Sequence, residues 1–81
     1  MDKKLDLVEL VGKEVYCMCA SYAYGGVLTS VSDKFVQIND PAIVYETGPW
    51  DSKTWKDAQR LPTNKVTVGI NSIESIFEVI R

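Results

Sequence analysis

Strand-forming residues dominate the chain from residue 14 to residue 45, and this run constrains the fold more than any other feature. β-branched and aromatic residues are typical of strands, and successive side chains of a strand point to opposite faces. Over residues 14–21 both faces are largely apolar. One face of such a strand packs in the interior of a small barrel, and the other face is covered by a helix or by a neighbouring subunit. The pattern therefore predicts a bent, closed β structure.

Five antiparallel strands are predicted, separated by residues that favour turns. Gly25 and Gly26 mark a bend or bulge, and the polar residues 32–34 form a turn. Asn71 and Ser72 form a second brief turn near the end of the chain. The predicted strands cover 14–21, 27–31, 35–39 with a continuation through 43–45, 65–70 and 73–80.

One short α-helix is predicted ahead of the strands, over residues 2–11. Leu5, Val8 and Val11 recur on one helical face, and Gly12 is placed to end the helix. A helix of this length is marginal alone in water, so we expect it to lie on the open end of the sheet. The predicted fold class is all-β with one N-terminal α-helix, a strongly bent five-stranded antiparallel small barrel that occupies the chain as a single domain.

Residues 46–64 interrupt the strand pattern and form a long variable connection between the third and fourth predicted strands. In so small a domain, a connection of this length is functional, mobile or an extended hairpin arm. It carries an aromatic and basic patch made of Trp50, Lys53, Trp55 and Lys56. Such a patch can bind single-stranded nucleic acid, but Trp is also enriched at protein interfaces, and interface or local packing is the favoured interpretation.

Size and charge restrict the possible partners. A domain of 81 residues buries a marginal core, which favours association with further copies of itself. Its 9 basic and 11 acidic residues give a formal net charge of −2, whereas proteins that hold duplex phosphates usually have a strongly basic face. Any binding of nucleic acid must therefore be local and largely non-electrostatic.

The expected location is the cytoplasm. No apolar run approaches the roughly 20 residues of a membrane span. The first apolar stretch of the chain contains acidic residues, unlike the apolar region of a signal peptide.

The sequence has no histidine, and this excludes several kinds of chemistry. Histidine is the commonest general base and the usual partner of a nucleophilic Ser or Cys. The carboxylates are scattered along the chain, and Gly25 and Gly26 are not followed by the Lys and Ser of a phosphate-binding loop. We therefore expect no enzyme, no cofactor and no metal.

Cys17 and Cys19 are the two cysteines of the chain. Residues i and i+2 of a strand lie about 7 Å apart, at about 3.3 Å per residue, which is too far for an unstrained disulfide. A metal site would need two further ligands. Both residues are predicted to stay reduced and to pack as small apolar side chains.

The order of elements, with a variable segment between the third and fourth strands, resembles the Sm/LSm family of RNA-binding proteins. Gly26-Val27-Leu28 leads to residues 33–38, which follow the pattern of the first Sm motif. The stretch Asp33-x-Phe35-Val36 is similar to the Hfq-type branch of that family, in which this turn forms part of a uridine pocket.

Other positions depart from the family pattern. The gap from Gly26 to Asp33 is one residue longer than usual, and Gln37 stands where the eukaryotic branch has Asn. Residues 68–76 keep the apolar frame of the second Sm motif, but Gly69-Ile70 replaces its Arg-Gly, and the Lys-His pair of the Hfq-type branch is absent. The divergence indicates an outlying member, such as a phage or environmental sequence.

The resemblance implies a homo-oligomeric ring of about five to seven subunits that binds single-stranded RNA, U-rich RNA included, at turns facing the pore. DNA is a further possible ligand, and the role would be in RNA processing or regulation. An aromatic ring can stack on a base, and many copies of a weak contact add through avidity. The residues implied in RNA binding are Asp33, Lys34, Phe35, Gln37, Asn71 and Ser72.

Alternatives remain open for these residues and for the function. A Phe at the start of a strand commonly packs in the core, and Asp, Asn and Ser favour turns for backbone reasons alone. The same ring could be a structural or adaptor subunit, for example in phage assembly, without nucleic acid. A third possibility is an SH3-like protein-interaction module that acts through Tyr45, Trp50 and Trp55.

Overall fold

The structure is a computed structural model that describes residues 7–80, and these form one antiparallel sheet of six strands. A single turn of 3₁₀ helix, Ile70–Ser72, joins the last two strands. The strands are β1 Glu14–Cys19, β2 Ala23–Val31, β3 Phe35–Glu46, β4 Asp57–Arg60, β5 Lys65–Gly69 and β6 Ile73–Glu78.

The longest strand, β3, organises the sheet because it pairs with three other strands. The strand order is β4-β3-β2-β1-β6, and β5 also pairs with β3. Along one edge β3 pairs with β2, whereas along the other its first half pairs with β5 and its second half with β4. The two halves meet at Asp40, whose φ of 49° lies in the left-handed region, and at Pro41, which is fully buried. Since a left-handed residue turns the chain out of the extended conformation, β3 bends there and carries two partner strands side by side.

The predicted α-helix over residues 2–11 is wrong where the structure describes it, because only Leu7 and Val8 are α-helical there and the elements of residues 7–80 include no α-helix. Residues 9–12 form turns, and the N–H groups of Leu10, Val11 and Lys13 each bond to the carbonyl three residues earlier. Val8 and Val11, two members of the predicted apolar stripe, are 48% and 42% exposed. Residues 2–6 of the predicted helix lie outside the described residues.

A competing set of backbone hydrogen bonds explains why no helix continues from Val8 to Val11. The Gly12 N–H donates to the Leu28 carbonyl at 2.7 Å, and the Leu28 N–H donates to the Lys13 carbonyl at 3.0 Å. Gly12 has a φ of 88°, a conformation that suits glycine. The chain is therefore drawn into the sheet immediately before β1 begins.

The predicted closed barrel of five strands is also wrong, because the described sheet is open and has a sixth strand. The additional strand, β4, comes from the long connection and pairs with the far half of β3. All four of its residues are exposed, so its sequence does not show the alternation of apolar and polar residues that would predict a strand. The connection is thus partly a hairpin arm, one of the possibilities that its length indicates.

The core lies on the inner side of the bent sheet. Val15, Leu28, Val36 and Ile38 are fully buried there, on β1, β2 and β3. The predicted bend at Gly25 and Gly26 is confirmed, because the register between β2 and β3 shifts between Gly25 and Val27. A methyl group placed at Gly26 would lie 2.5 Å from Ile38 Cγ2 and 2.6 Å from the Asn39 carbonyl oxygen. Only glycine permits this close approach of the two strands.

The two cysteines are free thiols that share the inner side of β1. Cys17 is fully buried, as predicted, whereas Cys19 is only partly buried. Their sulfur atoms lie 3.9 Å apart, within hydrogen-bonding distance for thiols. Burial, together with the neighbouring Cys19, raises the pKa of the Cys17 thiol from 9.0 to about 12.

Gly26→Ala should destabilise the protein by about 1–3 kcal/mol, because the new methyl group would lie 2.6 Å from the backbone carbonyl oxygen of Asn39 and would force the two strands apart. The matched control is Gly69→Ala, whose methyl group meets, among the described residues, only Ser72 Oγ at 3.7 Å and should change stability by less than about 0.5 kcal/mol. Urea unfolding of both variants measures the difference. Equal stabilities would contradict the steric account of the bend.

The buried Cys17 thiol should make stability fall as pH rises above 9. The unfolded thiol ionises near 9.0, whereas the folded thiol stays neutral until about pH 12, so ionisation favours the unfolded state between these values. Below pH 9 both states hold the proton and the effect vanishes. Urea unfolding at pH 8 and pH 10.5 should show a larger loss in the wild type than in Cys17→Ala. Parallel losses would show that Cys17 does not titrate this way.

Candidate functional site

The turn between β2 and β3 presents the first group of predicted site residues. Ser32 closes this turn, because its side-chain oxygen accepts a hydrogen bond from the Phe35 N–H at 3.2 Å and its backbone N–H donates to the Phe35 carbonyl at 2.8 Å. Asp33 and Lys34 lie at the tip of the turn and are exposed. The turn is therefore held by its own hydrogen bonds and leaves two oppositely charged side chains at the surface.

The 3₁₀ turn between β5 and β6 presents the second group. Ile70 is buried in the core and anchors the turn, while Asn71 and Ser72 are exposed. The Ile70 N–H donates to the Lys34 carbonyl at 2.8 Å. Because this hydrogen bond joins the two turns directly, the residues at 33–35 and at 69–71 face one another.

A cleft of about 420 Å³ lies between the two turns. The structure thus brings together four of the predicted residues, and it adds two that sequence reasoning missed. The lining residues are Asp33, Lys34, Phe35, Gly69, Ile70 and Asn71.

Phe35 is the aromatic wall of this cleft. Its side chain is 50% exposed, whereas the next residue, Val36, is fully buried. Phe35 thus lies on the outer face of β3. The alternative interpretation, that a Phe at the start of a strand packs in the core, does not hold for this residue. Its cross-strand partner is Gly69, which has no side chain to cover the ring. The Phe–Gly pairing explains why the ring stays accessible, and it follows from strand register, which the sequence alone does not give.

Two other predicted residues lie outside the cleft. Gln37 follows Phe35 on the same face of β3, where its side-chain oxygen accepts a hydrogen bond from Ser30 Oγ at 3.4 Å. Ser72 lines a second cleft of about 290 Å³ on the other side of Gly69. The structure therefore splits the predicted group of six between two neighbouring clefts and a strand face.

The aromatic residues of the long connection pack on the outer face of the sheet. The Trp50 and Trp55 rings lie 5.7 Å and 5.4 Å from the ring of Tyr16, which is itself buried, and Trp50 lies 5.8 Å from Phe77. Gly25 makes room for this packing, because a methyl group there would lie 2.8 Å from Trp55 Nε1. The apolar outer face of β1 is thus covered by the connection of the same chain.

The two lysines of the patch have different surroundings. Lys56 Nζ lies 3.1 Å from Glu46 Oε1 and forms an exposed ion pair. Lys53 is exposed at the tip of the connection. The contacts of Trp50, Trp55 and Lys56 favour local packing, one of the two interpretations that the sequence left open for this patch.

Comparison with known proteins adds no relative. No protein-family model matches the chain, and no curated protein is similar enough to count as a match. Within residues 7–80 no group of three or more Cys, Asp or Glu side chains is arranged to hold a metal ion. Over the same residues, the structure has no helix long and apolar enough to cross a membrane.

Proposed function

We propose that this chain is a divergent Sm-like protein whose copies assemble into a ring and bind single-stranded RNA in the cleft between the two turns. The observation that carries the proposal is the joining of residues 33–35 and 69–71 by the hydrogen bond from Ile70 to Lys34. This arrangement supports the proposal because the two segments are far apart in sequence and both belong to the motifs of the resemblance.

The side chains of the cleft suit a nucleotide. The accessible ring of Phe35 can stack on a base, a contact worth about 1–3 kcal/mol that accepts any base. The exposed ammonium group of Lys34 can meet a phosphate, and the Asn71 amide can both donate to and accept from a base edge. Because the chain is acidic overall, stacking and not charge provides most of the affinity of a single site.

Assembly would supply the avidity that a weak single site needs. Within residues 7–80 the outer edges of β5 and β6 pair with no other strand. Hydrogen bonds join residue 70 to residue 34 and residue 40 to residue 64 at the two ends of the β3–β5 pair. In antiparallel strands every second residue bonds to the partner strand, so the N–H groups of Thr67 and Gly69 point away from β3. On β6, the Val79 N–H donates to the Glu14 carbonyl of the neighbouring chain segment. By the same rule of every second residue, the Ile76 N–H points away from β1.

Pairing the β5 edge of one copy with the β6 edge of the next copy would give hydrogen-bond partners to the outward backbone groups of both strands. An unpaired edge strand is a template for another strand, and a head-to-tail contact that closes on itself makes a ring. Each copy then contributes one cleft, and several weak contacts to one RNA strand multiply through avidity.

Phe35→Ala should weaken binding to an oligouridine by about 5- to 150-fold, the loss of about 1–3 kcal/mol of stacking, and Lys34→Ala should reduce the dependence of binding on salt. Filter binding with labelled oligouridine at two salt concentrations measures both effects. Lys53→Ala is the matched control, because Lys53 is also exposed but does not line the cleft. No retention of oligouridine by the wild type would reject RNA binding and leave the structural ring as the alternative.

Thr67→Pro should convert the assembled protein into monomers, because proline removes an N–H that points outward from β5 while leaving the bonds to β3 intact. Thr67→Ser keeps that N–H and should assemble like the wild type. Light scattering after gel filtration gives the mass, and circular dichroism checks that both variants keep the sheet. A wild-type mass of 9.1 kDa at all working concentrations would contradict the ring.

A further inference from the structure

A second cleft adjoins the proposed RNA site, and Gly69 lines both. This cleft has a volume of about 290 Å³ and lies between the β1–β2 turn and β5, where its lining includes Cys19 and the core residue Val68. Its aromatic wall is formed by Tyr22 and Tyr24, and Thr67 and Ser72 contribute hydroxyl groups. The cleft therefore combines flat rings with neutral hydrogen-bonding groups.

Gly69 lines both clefts and places no side chain between them. Among residues 7–80, a methyl group placed at Gly69 would meet only Ser72 Oγ, at 3.7 Å. Phe35 is the cross-strand partner of Gly69 on one side, and Ser72 lies on the other. Asn71, in the first cleft, and Ser72, in the second, are consecutive residues of one turn. A chain-like ligand can pass from one cleft to the other over this glycine.

Tyr22 is the accessible aromatic residue of the second cleft. Its side chain is 52% exposed, similar to Phe35 in the first cleft. Within the part of the chain that the structure describes, no basic residue lines the second cleft, so the chemistry of these residues favours the uncharged part of a ligand, such as a base or a sugar, over a phosphate. Aromatic rings stack on bases without regard to sequence, and hydroxyl groups can bond to a sugar or a base edge.

We propose that the second cleft binds the nucleotide next to the one held at Phe35, so that each subunit takes two successive nucleotides of a single strand. One base stacks on Phe35 and the adjacent base stacks on Tyr22, with the linking backbone crossing over Gly69. This inference rests on the proposed function, because it extends the same site.

The test compares a mononucleotide with a dinucleotide. Uridine monophosphate and the dinucleotide UpU compete against a labelled oligouridine, for the wild type and for three variants. In the wild type, UpU should bind about 5- to 150-fold more tightly than the mononucleotide, since it adds one stacked base. Tyr22→Ala should abolish that advantage and leave mononucleotide binding unchanged, whereas Tyr22→Phe keeps the ring and should retain the advantage.

Gly69→Val is the third variant and tests the position that both clefts share. Its side chain should fill the open space over Gly69 and cover the Phe35 ring, so both competitors should bind less tightly than they bind the wild type. If UpU and the mononucleotide bind the wild type equally, or if Tyr22→Ala keeps the advantage, the two-nucleotide site is wrong and the RNA site at Phe35 stands. If neither competitor nor the oligouridine binds, the proposed function itself fails.

Discussion

The sharp bend of β2 and β3 is the constraint on which the rest of this structure depends. At Gly26 the two strands approach so closely that no side chain fits between them, and at Asp40 and Pro41 β3 changes direction. Because of this bend, the first half of β3 carries β5 and the second half carries β4. The start of β3 therefore meets the end of β5, and the turn that holds Lys34 bonds to the turn that holds Ile70.

Local chemistry allowed the turns to be predicted, since their residues act through neighbouring backbone. Gly25 and Gly26 indicated a bulge that is present, and the polar turn at 32–34 and the turn at Asn71 and Ser72 both lie where expected. These turns position the candidate site, so much of it was accessible from the sequence. Only the family resemblance implied that the two turns lie close together. Local sequence patterns cannot relate residues that are so far apart in the chain.

Tertiary context explains what could not be predicted. The apolar repeat at Val8 and Val11 fits a helix, but Gly12 donates a hydrogen bond to Leu28 of β2 and Lys13 accepts one from it, and residues 9–12 form turns. The strand β4 is entirely exposed and exists through its pairing with β3, so no apolar alternation marks it. The role of Gly69 beside Phe35 depends on strand register, which long-range pairing determines.

Six of the eight aromatic residues of this small protein form two groups. Tyr16, Trp50, Trp55 and Phe77 contact one another on the outer face of the sheet, where Tyr16 is buried while Trp50 and Phe77 are 59% and 40% exposed. Phe35 and Tyr22 are 50% and 52% exposed and lie one in each of the two clefts that Gly69 lines. The proposed contact with a base depends on these two accessible rings.

A nuclear magnetic resonance titration with oligouridine tests the proposed use of the joined turns most directly. The account predicts that the backbone amide signals of Lys34, Phe35, Ile70 and Asn71 shift together and saturate at one ligand concentration, while the indole N–H signals of Trp50 and Trp55 stay in place. Shifts that cluster at the two indoles, or none at the turns, would contradict it.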